Sequence, residues 1–126
     1  MKNVGSILVL ALAALAIASD GLAEDGKAPL NVLYLSRQQD ADRAEAFRDF
    51  LSSRFAMVVT AKREDFHTGL LEGIDVVLLD WPQSERPSSD AASPLGPLET
   101  WNSPLVLLGS AGLLQAKSWS VVGSAG

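Results

Sequence analysis

Residues 74–85, IDVVLLDWPQSE, decide the fold. Val76, Val77, Leu78 and Leu79 follow one another without the polar alternation of a half-solvated strand, so a strand here has both faces covered. The run stops at Asp80, Trp81 and Pro82. In open α/β sheets ligands bind outside the carboxyl ends of the strands, so the position of Asp80 poses a question. It is either a working carboxylate, orienting a base or binding a sugar hydroxyl beside a stacking Trp81, or the cap of a turn where a buried strand meets water.

The same signature recurs on both sides. Residues 30–37, LNVLYLSR, form a first apolar run bounded by Pro29 and polar residues. The period then changes. Ala44, Phe47, Phe50, Leu51 and Phe55 fall on one helical stripe, while Arg43, Glu45, Arg48 and Asp49 lie mostly elsewhere. Asp42 with Glu45 three residues on is an aspartate version of the capping box, which starts the helix at Asp42. Residues 56–61, AMVVTA, give a second strand, and Gly69 and Gly73 limit any helix in residues 62–73 to a turn or two. A fourth strand, residues 104–109, closes on the Gly-Ser-Ala-Gly turn at 109–112, LLQAK is one helical turn, and SWSVV is a fifth strand before a second Gly-Ser-Ala-Gly. Continuous apolar strands alternating with helices and turns predict an α/β domain with a mainly parallel sheet, covered on both faces.

Residues 82–104 break this rhythm. Pro82, Pro87, Pro94 and Pro97, mixed with serines, exclude a regular crossover helix. The segment leaves the carboxyl end of the third strand and is read as a loop overhanging the site. A fifth strand ending on a Gly-rich turn lacks a following helix, which leaves two readings: a minimal domain with an exposed edge, or a C-terminally truncated version of a longer one.

At the other end, Lys2 precedes a dozen apolar residues, 7–18, too few for the ~20 that a membrane-spanning helix needs. This is the pattern of a secretory signal peptide. Small residues fit cleavage after Ala18 or after Ala23, the second being preferred, so residues 1–23 are read as signal, 24–29 as linker and 30–126 as the domain. A periplasmic or secreted location follows, with no membrane attachment after cleavage. The net charge of −5, with lysines and arginines scattered, argues against nucleic acid as a partner. With no cysteine there is no disulfide, thiolate ligand or thiol nucleophile, and a single histidine, His67, makes a zinc site improbable.

Three strand ends meet at one edge of such a sheet: Ser36-Arg37, Asp80-Trp81 and the turn from Gly109. Arg37, Asp80, Trp81 and Ser110 are therefore the candidate ligand contacts, Arg37 because a guanidinium forks onto carboxylate or phosphate. No catalytic residue is assigned. Ser110 has Gly112 after it but Leu108 where a nucleophile elbow needs glycine, and neither a dinucleotide fingerprint nor a phosphate loop occurs, so no cofactor is indicated.

The succession NVLYLSR, amphipathic helix, VVTAKREDFHTGLLEGIDVVLLDW, long loop and PLVLLGSAG resembles the N-terminal part of the class I glutamine amidotransferase-like superfamily, closest to its exported trehalose-utilisation (ThuA-like) proteins. The resemblance implies a flavodoxin-like three-layer sandwich. Amidotransferases of the superfamily use a cysteine on a later strand-to-helix elbow; with no cysteine here, the glutaminase activity is withdrawn. DVVLLDW and PLVLLGSAG also resemble the third and fourth strands of response-regulator receivers, Asp80 standing at the phosphoacceptor and Ser110 at the hydroxyl position. Receivers carry an acidic pair after the first strand, where this chain has Ser36-Arg37. The expectation is an amidotransferase-like module binding a small ligand, in particular a carbohydrate. The alternatives are a hydrolase using Asp80 and a serine, a degenerate receiver, and an inactive fragment of a longer protein.

Overall fold

The computed structural model describes residues 26–84 and 92–120. The signal-peptide reading of residues 1–23 and the last part of the expected fifth strand lie outside the described residues. Four strands form one sheet: β1 (Ala28–Ser36), β2 (Phe55–Lys62), β3 (Val76–Trp81) and β4 (Leu105–Gly109). Helix α1 (Ala41–Ser52) joins β1 to β2, 3₁₀ turns at Arg63–Asp65 and Thr68–Leu71 lead to β3, and α2 (Ala111–Ser118) follows β4. All pairings are parallel and the order is β2-β1-β3-β4. This is the parallel α/β arrangement expected from the apolar runs, in the flavodoxin-like form that the resemblance implied. The chain steps from β1 outward to β2, then crosses to β3 on the other flank, so the topological switch point lies between the carboxyl ends of β1 and β3.

Successive side chains of a strand point to opposite faces, which explains why the runs are apolar throughout. Leu33, Leu35, Val77, Leu79 and Leu105 pack on one face with Leu95, Trp101, Ala111 and Trp119. Val32, Tyr34 and Leu78 pack on the other with Leu51 of α1 and Phe55. Leu33, Leu35, Val77, Leu79 and Leu105 are fully inaccessible, the environment in which truncation to alanine removes the most packing.

Five expectations need correction. Helix α1 begins at Ala41 with Asp40 as its N-cap residue, and no side-chain capping bond forms, because the Asp40 carboxylate is taken by Arg37 (Nε 3.1 Å, Nη2 2.9 Å). Asp42 therefore sits inside the first turn and the capping box is not made. On the helical stripe, Leu51 is buried and Ala44 and Phe47 are half-buried, but Phe50 is exposed and Phe55 already belongs to β2. The single turn expected around LLQAK is a two-turn helix, and SWS does not begin a strand: Ser118 closes α2, and buried Trp119 is its C-cap. Finally, the described part of the proline-rich connection is core rather than overhang. Its prolines forbid a long helix, but Leu95, Leu98 and Trp101 recur every three residues and still gain from burial, so they pack on the sheet through a 3₁₀ turn at Leu98–Thr100. Trp119 fixes α2 to this segment, its indole N–H donating to the Gly96 carbonyl at 2.8 Å and its ring lying 6.0 Å from that of Trp101.

Candidate functional site

The carboxyl edge of the sheet carries two neighbouring constellations. The first surrounds Asp80, which is 1% exposed. A buried carboxylate is tolerated only when its oxygens are paired, and here they are. The Tyr34 phenol donates to Oδ2, while the Arg43 guanidinium donates in a fork, Nε to Oδ2 at 2.6 Å and Nη2 to Oδ1 at 3.0 Å. The placement follows from the strand period: Tyr34 lies opposite Leu78, and Asp80, two residues on, shares the face that α1 covers. Phe47 of α1 stacks on Tyr34 with ring centroids 5.1 Å apart, and Arg43 lies over Phe47 one turn back. On the opposite side Arg63, itself buried, donates from Nη1 to the Asp80 carbonyl at 3.1 Å and lays its guanidinium over the Trp81 ring, 3.6 Å from the centroid. The protein's own arginine thus occupies the Asp80 carbonyl and one face of Trp81 at the end of β3.

Burial, followed by the bond to Asp80, pushes the Tyr34 phenol well above the ordinary tyrosine value of 10.0. The folded protein keeps a proton that the unfolded chain releases near that pH, so the stability it contributes is intact below about pH 10 and is lost as the pH rises further. Tyr34→Phe removes this titration. The urea midpoint of the variant is expected to fall less than that of the wild type between about pH 8 and about pH 11, and equal alkaline losses in the two proteins would refute the assignment.

The second constellation is an open cavity of about 660 Å³ beside the first, at the carboxyl ends of β1 and β2. Ser36 and Lys62 are register partners at the end of the β1–β2 ladder, and both line it. Arg37 and Gln38 continue from β1, Thr60 comes from β2, and Asp65 and His67 come from the turns beyond. From α1 the lining residues are Ala41, Ala44, Glu45 and Arg48. The two alanines keep that flank small, which leaves the space open. Arg37 holds the Asp40 carboxyl below the usual aspartate range through its forked bond, and Arg48 lies 3.6 Å from Glu45. Among the described residues no group of three or more His, Cys, Asp and Glu is arranged to hold a metal ion, and no helix is long and apolar enough to cross a membrane.

The four residues singled out from the sequence thus all stand at the carboxyl edge but do not line one cavity. Arg37 lines the open cavity. Asp80 is 1% exposed, and both of its carboxylate oxygens already accept hydrogen bonds from Tyr34 and Arg43. The face of Trp81 is occupied by Arg63, and Ser110 is the buried N-cap of α2, its backbone N–H donating to the Trp81 carbonyl at 2.6 Å. His67, the single histidine of the chain, is exposed and lines the cavity. Arg43, Arg63 and Tyr34 were not anticipated.

Fold and edge together define a parallel, doubly wound α/β domain with a polar cavity displaced one strand from its switch point. Compared with known proteins, the chain matches no family model, no curated protein and no solved structure.

Proposed function

We propose that this chain is a binding module of the exported, amidotransferase-like (ThuA-like) kind that holds a small hydroxylated ligand, of carbohydrate character, without transforming it. The observation that carries this reading is the mixed lining of the cavity. Donors from Arg37, Gln38, Arg48 and Lys62 alternate with acceptors from Glu45 and Asp65 and with the Ser36 and Thr60 hydroxyls, which do both. Hydroxyl groups also donate and accept, so a polyol satisfies such a lining better than a hydrocarbon does. Its volume, about 660 Å³, lies in the range of small-ligand sites. The engagement of both Asp80 oxygens by Tyr34 and Arg43, with no cysteine in the chain, favours binding over hydrolysis. In this reading Arg37 contacts the ligand, while Asp80, Trp81 and Ser110 hold the edge in shape. Export rests on the N-terminal sequence alone.

The test is a ¹⁵N NMR titration of the full chain with a panel of neutral and acidic mono- and disaccharides. Saturable shifts confined to the amides of Ser36, Gln38, Thr60, Lys62 and His67, with the sugar recovered unchanged, are expected. Absence of saturable shifts for the whole panel at tens of millimolar would overturn the reading.

A further inference from the structure

The charges around the cavity are not those of the protein as a whole. The chain carries a net charge of −5, yet the lining brings together three permanent cations, Arg37, Arg48 and Lys62, against two carboxylates, Glu45 and Asp65. Two of the cations already have partners. Arg37 forks onto Asp40 at 2.9 and 3.1 Å, and Arg48 shares Glu45 and Asp49 at 3.6 and 3.3 Å, distances longer than a good charge-assisted bond. Lys62 makes no ion pair among the described residues. It closes β2 beside Ser36, exposed, on the wall of the cavity opposite α1. An ammonium on one wall, with a loosely held guanidinium on the facing helix, gives this open recess on an acidic protein a cation that no carboxylate among the described residues pairs with.

Resting on the reading of this cavity as a small-ligand site, we infer that its ligand bears an oxyanion, a carboxylate or a phosphate, on its hydroxylated frame, and that Lys62 is the contact for that group with Arg48 facing it. The Ser36 and Thr60 hydroxyls and the Gln38 amide are left for the neutral part of the ligand. Arg37, already forked onto Asp40, keeps its ligand contact at the β1 end of the cavity.

Isothermal titration of the full chain at low ionic strength with glucose, glucuronate and glucose 6-phosphate tests this. One of the two acidic sugars is expected to bind at least about fivefold more tightly than glucose, the scale of one exposed charge pair, and the preference should shrink as salt is added. Which of them wins identifies carboxylate or phosphate as the source of the oxyanion. Lys62→Gln should abolish the preference, and Lys62→Glu should reverse it. Lys62 is exposed at a strand end, so both variants are expected to keep the wild-type melting temperature, and Arg54→Gln, remote from the cavity lining, should leave all three affinities unchanged. Equal binding of glucose and the acidic sugars, or a preference that survives Lys62→Glu, would overturn this inference and leave the binding module standing. Failure of all three sugars to bind would remove both.

Discussion

Asp80→Ala is expected to destabilise the fold by about 3 kcal/mol, read as a lower urea midpoint with an unchanged slope. The cost does not come mainly from the ion pair. Arg43 is 41% exposed along its side chain and can turn to water when its partner disappears. Tyr34 cannot: it is fully inaccessible, and its hydroxyl would be left in the core without an acceptor. Leaving such a group unsatisfied costs about 1–3 kcal/mol, and the space vacated at the strand end adds to it. Asp80→Asn keeps the shape and an acceptor for the phenol, and should lose about half as much. The sign is diagnostic. Carboxylates kept for ligand chemistry are often stabilised by removal, so an alanine variant as stable as the wild type, or more so, would show that Asp80 serves a site and not the fold.

The second large effect is at Gly109. Its φ is +65°, and a β-carbon there would run into the carbonyl oxygen of Trp81, its register partner across the β3–β4 ladder. That same carbonyl accepts the Ser110 N–H that starts α2. Gly109→Ala must therefore strain the backbone and push β3 and β4 apart where the second helix is anchored, at a cost of about 3 kcal/mol. Gly73 is the control. It also has positive φ, +72°, but nothing lies within 4 Å of a β-carbon built there, so Gly73→Ala should cost only about 1 kcal/mol. Equal urea midpoints for the two variants would mean that the β3–β4 end is softer than its geometry shows.

Gly109 also marks where the chain was easy to read and where it was not. Strand ends and tight turns follow from local rules: β1, β2, β3 and β4 lie within two residues of their apolar runs, and the glycine after Leu108 is left-handed as a tight turn requires. Helix α2 was underestimated because Gly112 weakens its first turn, and Trp119 looks like strand when it is in fact an anchor whose indole finds the Gly96 carbonyl 23 residues away. The same limit governed the edge. Asp80 was visible as a strand end, but what decides its character is Arg43, 37 residues earlier on the polar side of a helix, where nothing local separates it from Arg48. Tyr34 passed as one more apolar member of its strand, although its phenol is what makes the acid buriable. Arg63 reaches Trp81 and Asp80 from beyond β2, a path set by strand order and by no nearby residue.

Arg63 has a consequence for selectivity. A tethered guanidinium acts as a built-in competitor, present at its own site at an effective concentration on the order of millimolar. A free cation that approaches Trp81 and the Asp80 carbonyl must outcompete a side chain that never diffuses away, and at micromolar levels it does not. The Trp81 face and the Asp80 carbonyl are thus held by Arg63 against cations at micromolar levels, and the open cavity of this edge lies one strand away, between α1 and the end of β2.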